Sequence, residues 1–396
     1  MENNMYDFET LRQRRFGGAE KWTALCASSH TDPDIIPFSV ADMEFSAAPE
    51  IQSALTEQVA FGVYGYTAAD DAYREAVCRW MKARHSWNVS PQWLVQTGGV
   101  VAGMGHAIRA LTRPGDGILI QPPVYPPFHH LVRENGRTLL ENPLKWENGR
   151  YTMNFDDLEE KAKRAKMMLF CSPHNPVGRV WTEEELARMA EICNRHHVLV
   201  FSDEIHFDFV YPGHRHTVYA GLNEACREHC IIGTAASKSF NLAGLSTSNL
   251  IIPNERLRER VKEQAEREAG ALNNYFGLGA TKAAYEKGAP WLDALLVYLK
   301  ENEAFCRGFL EEHIPKATVS PLEGTYLLWA DFRGFGLEAK EQKRFMQEEA
   351  ALFLGEGYAF GPAGAGFERI NLACPRRYLA AGLSRLKDAA ERKGLA

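Results

Sequence analysis

The stretch HVLVFSDEI (197–205) decides how this chain folds. It follows TEEELARMAEICNRH (182–196), whose opening threonine and acidic residues are typical of a helix N-terminus. A near-continuous apolar run directly after an amphipathic helix predicts a strand that is buried on both faces of a parallel sheet. Three further runs have the same character: GDGILIQPP (115–123), KMMLFCSP (166–173) and CIIGTAAS (230–237). The alternation predicts an α/β fold whose large domain has a mostly parallel sheet of the seven-stranded type sandwiched by helices.

A second, smaller unit is predicted at the C-terminal end of the chain. The helical stretch 291–313 is long enough to connect two units, and three short strand-like runs follow it. These runs are GTYLLWADF (324–332), YAFGPAG (358–364) and ERINLACP (368–375). We therefore expect an N-terminal segment (1–50) that packs with the small domain, a large domain (51–290) and a small α+β C-terminal domain (291–396).

Composition excludes several classes of function. The formal net charge of −6 lacks the basic footprint that nucleic-acid binding needs, and no run approaches the ~20 apolar residues that cross a bilayer. The 8 cysteines are scattered without a CxxC spacing, so neither a disulfide framework nor a metal site is predicted. The polar N-terminus does not resemble a signal peptide, so we expect a cytoplasmic protein with a small-molecule substrate.

Polar residues follow four of the predicted strands. They are Tyr125, Asn175, Asp203 and Lys238. Binding sites of open α/β sheets lie at the carboxyl ends of the strands, so these side chains are expected to converge.

Lys238 and Asp203 have complementary chemistry. A lysine that forms an imine must lose its proton, which a dry or electropositive pocket favours. A carboxylate after a buried strand needs a partner, and a pyridinium nitrogen would serve while the acid keeps that ring protonated. Taken singly, Lys238 could be a solvated loop residue and Asp203 a helix cap or a structural ion-pair partner.

The remaining candidates also have two interpretations each. Asn175 could donate to a phenolic oxygen or form an Asx-turn, and Tyr125 could stack on a cofactor ring or simply pack. His206 could reach the same neighbourhood or be a packed histidine. Arg369, inside an apolar strand, requires a carboxylate from the substrate or from the protein. The glycine-rich TGGVVAGMGHAIRAL (97–111) opens a helix and could bind an anion.

In this order and spacing, these residues resemble the signature of the fold-type I pyridoxal-phosphate enzymes, the aspartate aminotransferase superfamily. Longer motifs resemble its cystathionine β-lyase and cystalysin-like branch, whose members break carbon–sulfur bonds. The motifs are SVADMEF (39–45), YGYT (64–67), PVYPPF (123–128), FCSPHNPVGRVW (170–181), SDEIHFDF (202–209), SKSFNLAGLSTSN (237–249), EGTYLLW (323–329) and GFERINLACP (366–375).

The resemblance implies a role for each matching residue. The cofactor would be pyridoxal 5′-phosphate, held by Lys238 as a Schiff base, with Lys238 also moving protons. Asp203 would pair with the ring nitrogen, and Asn175 and His206 would lie near the 3′-oxygen. Tyr125 would stack on the ring. The phosphate would be bound by Gly99, Val100 and Ser237.

The resemblance also implies how the substrate is bound. Arg369, with Asn175, would bind the substrate's α-carboxylate, and Asp42 would lie near the entrance. Tyr66 would reach the neighbouring subunit's site in a homodimer. Better-known aminotransferases have a phosphate-binding arginine eight residues after the lysine, where this chain has Ser246.

The implied reaction is α,β-elimination of cystathionine or a related cysteine S-conjugate, giving pyruvate, ammonia and a thiol. Transamination at the same site is the nearest alternative. A regulatory protein that binds the cofactor without turnover is a third.

Overall fold

A seven-stranded sheet forms the centre of the computed structural model, which describes residues 6–15, 17–27, 35–147, 149–268 and 273–396. In these residues the strand order is β1-β7-β6-β5-β4-β2-β3, and only β7 runs antiparallel to its neighbours. The mostly parallel sheet predicted from the sequence is confirmed. The strands are β1 (Leu94–Thr97), β2 (Gly117–Ile120), β3 (Thr138–Glu141), β4 (Ala165–Cys171), β5 (Leu199–Asp203), β6 (Cys230–Thr234) and β7 (Ser248–Ile251).

Helices cover both faces of this sheet. Successive strand residues point to opposite faces, so in β4 Met167 and Leu169 enter one apolar cluster whereas Met168 and Phe170 enter the other. Both clusters are closed by helical side chains, as expected for strands buried on two sides. The helices of this region are Pro49–Phe61, Asp71–His85, Val100–Leu111, Pro127–Glu134, Phe155–Ala162, Glu183–Arg195, Glu224–Glu228, Ala236–Ser239, Glu255–Arg267 and Tyr275–Lys287.

The predicted helix start at Thr182 is confirmed in detail. The Thr182 hydroxyl accepts from the Glu185 backbone N–H, and the Glu185 carboxylate accepts from the Thr182 N–H at 2.9 Å. This reciprocal capping satisfies two N–H groups that a helix start otherwise leaves open. The helix returns the chain to the N-terminal end of β5, which fixes where Asp203 emerges from the sheet.

The C-terminal part contains a four-stranded antiparallel sheet in the order β8-β9-β11-β10. The strands are β8 (Thr318–Val319), β9 (Leu327–Asp331), β10 (Gly355–Glu356) and β11 (Phe367–Asn371), and the helices are Ala289–His313, Ala339–Arg344 and Arg376–Lys393. Helix Ala289–His313 matches the predicted connecting helix.

The prediction of a strand at YAFGPAG (358–364) is wrong. Gly357–Phe360 and Pro362–Gly364 form two 3₁₀ turns instead. Gly361 takes a positive φ of 120°, and the following proline has no N–H to donate to a sheet. Extended pairing therefore stops at Gly355–Glu356.

The N-terminal segment contacts the C-terminal part directly. Ile36–Pro37 pairs in parallel with Leu352–Phe353, and the Phe38 N–H donates to the Phe353 carbonyl at 2.8 Å. The division into three units at 50 and 290 stays a prediction. Within the described ranges, every helix is too short or too polar to cross a bilayer.

Candidate active site

One cavity of about 900 Å³ opens where the carboxyl ends of the central parallel strands meet the start of helix Val100–Leu111. Every site residue predicted from the sequence lines it, except Tyr66, whose side chain is fully exposed elsewhere. The lining predicted residues are Asp42, Gly99, Val100, Tyr125, Asn175, Asp203, His206, Ser237, Lys238 and Arg369.

Lys238 lies in the short helix Ala236–Ser239, directly after β6. Its Nζ donates to the carbonyl of Ala41 at 2.8 Å, so the amine is held inside the cavity instead of in bulk solvent. Burial lowers the pKa of Lys238 to about 8, and the nearby Arg369 lowers it as well. Desolvation disfavours the charged form of an amine, so a neutral, nucleophilic lysine is accessible near physiological pH.

Asp203 is the last residue of β5 and is buried at the floor of the cavity. Its carboxylate accepts the backbone N–H of Ile205 at 3.2 Å. Burial raises the pKa of Asp203 to about 7, partly opposed by that hydrogen bond and by Lys238. A buried carboxyl group with so little compensation is suited to a cationic partner in the cavity.

Arg369 projects from β11 into the same cavity, where its charge is also poorly compensated. One terminal nitrogen donates to the Asn175 Oδ1 at 3.0 Å and the other donates to the Ser39 carbonyl, whereas the buried Nε finds no acceptor in the described part of the chain. The guanidinium lies over the Phe360 ring at 4.9 Å. Burial lowers the pKa of Arg369 to about 10. No described acidic residue pairs with Arg369. This leaves the interpretation in which Arg369 binds a carboxylate of the substrate.

His206 and Tyr125 complete the polar wall beside Lys238. The Nδ1 of His206 is buried, and no described residue is its hydrogen-bond partner. Burial holds the pKa of His206 well below its ordinary value, and the charges of Lys238 and Arg369 lower it further, so the ring stays neutral. The Tyr125 backbone donates to the Asn175 carbonyl at 3.1 Å, and burial raises the pKa of its hydroxyl, which therefore keeps its proton.

The glycine-rich segment forms the opposite end of the cavity. Gly98 and Gly99 precede helix Val100–Leu111, and Gly99 takes a φ of 135° that other residues rarely adopt. Apart from the adjoining residues of the chain, no described residue has an atom within 4 Å of where a Cβ would stand at either glycine, so the backbone is open to a ligand. Ser237, Ser246 and Thr247 also line this region. N–H groups at a helix start with nearby hydroxyls favour an anion such as phosphate.

Two groups that position Lys238 were missed at the sequence level. The Tyr326 hydroxyl donates to the Ala41 carbonyl at 2.8 Å, the same oxygen that receives Lys238. The Asp208 carboxylate, buried below the site, accepts from Ser239, from Trp80 Nε1 at 3.2 Å and from His85 Nε2 at 2.9 Å. The signals were the positions of Asp208 within SDEIHFDF (202–209) and of Tyr326 within EGTYLLW (323–329).

An ion cluster at the entrance was also missed. Asp42 pairs with Arg14 at 2.5 Å and with Lys21 at 2.8 Å, and Lys21 also pairs with Glu44 at 2.6 Å. Burial would raise the pKa of Asp42, but Lys21 and Arg14 together lower it below its ordinary value. The cluster fixes the N-terminal segment across the mouth of the cavity. Nothing in the polar N-terminal sequence indicated it.

Comparison with known proteins agrees with this geometry. The sequence profile of the aminotransferase class I and II family matches residues 33–386. The chain belongs to that family. It is 41% identical to cystathionine beta-lyase PatB of Bacillus subtilis over 90% of this chain and 92% of the relative. It is 32% identical to protein MalY of Escherichia coli over 97% of this chain and 99% of that protein.

Solved structures place the fold within the same group. Cystalysin from Treponema denticola, which contains a pyridoxal 5′-phosphate cofactor, superposes with a TM-score of 0.96 at 38% identity, covering 98% of this chain and 100% of that chain. The pyridoxal-phosphate-bound C-S lyase from Staphylococcus hominis gives a TM-score of 0.89 at 32% identity, covering 97% and 98%. The predicted resemblance to the fold-type I enzymes and their cystathionine β-lyase branch is confirmed.

Proposed function

We propose that this protein is a cytoplasmic, pyridoxal-phosphate-dependent C–S lyase that converts cystathionine or related cysteine S-conjugates to pyruvate, ammonia and a thiol. The observation that carries the proposal is that a lysine with a lowered pKa, Lys238, and an undercompensated buried acid, Asp203, line one cavity together with Arg369. The relatives named as cystathionine β-lyases and C-S lyases support the choice of reaction.

The donors and acceptors of the cavity fit this cofactor. Lys238 would hold it covalently, and Asp203 would pair with its ring nitrogen, which supplies the missing cationic partner. The Nδ1 of His206, which has no partner among the described residues, and the amide N–H groups of Asn175 suit a phenolic oxygen, while Tyr125 would stack on the ring. Gly99, Val100 and Ser237, with Ser246 and Thr247, would take the phosphate through backbone N–H groups and hydroxyls in place of an arginine.

The protein's own groups then perform the proton transfers. When bound, pyridoxal phosphate supplies an electron sink for the pair left on Cα after proton loss. Arg369 binds the α-carboxylate and thereby orients the substrate, and Lys238 removes the Cα proton because its lowered pKa suits a general base. The Cβ–S bond breaks, and the protonated Tyr125 hydroxyl or Lys238 donates a proton to the departing sulfur. The remaining three-carbon fragment hydrolyses to pyruvate and ammonia.

A substrate panel on the loaded enzyme tests this proposal. Cystathionine and S-alkyl-cysteines are expected to release thiol and pyruvate in equal amounts with no keto acid present. Transamination instead needs a keto-acid acceptor and leaves the carbon–sulfur bond intact. Absence of thiol from every thioether, together with turnover only when a keto acid is added, would defeat the lyase proposal.

We also propose a homodimer with shared active sites. The Tyr66 side chain is 101% exposed, and Val59, Phe61, Val63 and Tyr64 expose apolar surface next to it. Neighbouring exposed apolar side chains are typical of an interface. In this arrangement Tyr66 enters the site of the second copy and binds its cofactor.

Complementation between two variant subunits is expected to show that Tyr66 of one subunit acts in the active site of the other. Tyr66→Ala and Lys238→Ala subunits are both impaired alone, but a mixed dimer contains one site with both side chains intact. Random co-assembly should recover about a quarter of the wild-type activity, since half of the dimers are mixed and one site in two is complete. Activity that stays at the level of the separate variants would contradict the shared site, and sedimentation would report the dimer itself.

Asp203 predicts an unusual pH dependence for the cofactor-free protein. Its pKa is raised to about 7 in the folded state, against about 3.9 when unfolded, so this acid favours folding while protonated and opposes it once ionised. Its contribution is full below about pH 4 and is lost as the pH rises through about 7. Between about pH 5 and about pH 8 we expect a loss of about 3 kcal/mol in unfolding free energy. Urea titrations at the two pH values measure this loss in unfolding free energy. The Asp203→Asn control should lose less unfolding free energy than the wild type. Equal losses would refute the assignment of the pH dependence to Asp203.

A further inference from the structure

The mouth of the cavity carries an acidic side chain without a partner. Glu20, the first residue of helix Glu20–Ala27, lines the same cavity as Lys238 and Tyr125. No hydrogen bond or ion pair involves its carboxylate among the described residues. Asp42, the other acid at the entrance, is already neutralised by Arg14 and Lys21. Glu20 is therefore the acid that remains available to a ligand there.

The charges of the cavity are arranged along its length. Lys238 and Arg369 are positive on the inner side, whereas Glu20 is negative at the entrance. Glu20 is close enough to affect the pKa values of Tyr125 and Lys238. Burial raises the pKa of Tyr125, and the charge of Glu20 raises it further. Burial lowers the pKa of Lys238, and the charge of Glu20 opposes that lowering. A ligand that spans the cavity thus meets Arg369 on the inner side and, at the entrance, the carboxylate of Glu20 beside Arg14, whose charge is shared with Asp42 and Glu44.

A substrate of the proposed reaction would extend from Arg369 toward the entrance of this cavity. Its α-carboxylate would lie on Arg369 and its Cα beside Lys238, so the group attached to sulfur must extend into the rest of the cavity. We infer that Glu20 binds an ammonium group at the far end of the S-substituent, which makes thioethers whose S-substituent carries an ammonium group, cystathionine among them, the favoured substrate class. This inference rests on the proposed lyase function. The exposed part of Arg14 at the same entrance would donate hydrogen bonds to the distal carboxylate of cystathionine.

A purely structural role for Glu20 makes a different prediction. An acid in the first turn of a helix stabilises it through the helix dipole. Loss of that effect would lower stability and change the turnover of all substrates alike. Only a contact with the substrate's terminus changes the ratio between a charged and a neutral thioether.

The test compares two thioethers of nearly equal shape on the loaded enzyme. S-aminoethyl-cysteine ends in an ammonium where S-propyl-cysteine ends in a methyl group. For Glu20→Gln we expect the ratio of their kcat/KM values to fall by about 3- to 10-fold, mostly through KM, because a partly exposed ion pair contributes modestly and equally to ground and transition states. The wild-type ratio should also fall as salt screens the pair.

Two further variants separate a contact between Glu20 and the substrate from a structural role of Glu20. Glu183→Gln removes an acid from the same first position of helix Glu183–Arg195, away from the cavity, and should leave the ratio as in the wild type. Glu20→Lys should lower the ratio further and improve the turnover of S-carboxyethyl-cysteine, whose terminus is anionic. An unchanged ratio in Glu20→Gln, or an equal fall for both thioethers, overturns the role of Glu20 alone. A wild-type enzyme that releases thiol from neither compound overturns the lyase function and this inference with it.

Discussion

Replacement of Lys238 by alanine is expected to reduce turnover by a factor of about 10³ or more. It should also remove the visible absorbance of lysine-bound pyridoxal phosphate. The variant loses both the amine that links the cofactor and the general base for the Cα proton, and a positioned base alone contributes about 10² to 10⁴. Activity with cystathionine and the absorption spectrum of purified protein measure the two losses separately.

Lys238→Arg is the informative control for this prediction. It keeps a positive charge next to Ala41, but a guanidinium neither loses its proton at neutral pH nor forms the covalent link. Both variants should therefore lack the absorbance band. A Lys238→Ala protein that keeps this band and a tenth of the activity would show that another group holds the cofactor.

The central fold could be predicted because its signals are local. Three of the four apolar runs quoted above contain a whole strand of the large sheet, the fourth contains all but the first residue of one, and the capped helix before β5 begins where its threonine indicated. The insertion of antiparallel β7 between β1 and β6 has no such signal, because it depends on which distant strands pair. YAFGPAG failed for a local reason, since Gly361 and Pro362 prevent an extended strand.

The inner part of the site could be predicted for a geometric reason. Parallel strands end at one edge, so residues that follow them converge whatever their separation in sequence. The hydrogen-bond partners of these residues could not be predicted, because they are distant in the sequence. Lys238 donates to the carbonyl of Ala41, 197 residues away, and Arg369 donates to Asn175, 194 residues away. Glu20 was missed for the same reason, because only the folded chain brings it to the cavity that holds Lys238.

Removal of Arg369 is expected to weaken catalysis mainly through substrate capture. Truncating one partner of a buried, hydrogen-bonded charge pair costs about 2–5 kcal/mol, which corresponds to roughly 1.5 to 3.5 orders of magnitude in kcat/KM for Arg369→Ala. Arg369→Lys should recover only part of this loss, because an ammonium lacks the paired N–H donors that match a carboxylate. Steady-state kinetics with cystathionine provide the measurement.

A substrate that lacks the carboxylate separates this role from damage to the site. Because Arg369 also donates to Asn175 at 3.0 Å, its loss could disturb the cofactor, and such damage would slow every amine alike. If Arg369 binds the α-carboxylate, the rate of reaction with the decarboxylated analogue of the thioether should hardly change between wild type and Arg369→Ala. Arg333→Ala, in the 3₁₀ turn after β9, removes an arginine that pairs with Asp331 at 2.6 Å and does not line the cavity, so it should leave both rates near wild type. Equal losses with both substrates would mean that Arg369 supports the architecture of the cavity and that another group binds the carboxylate.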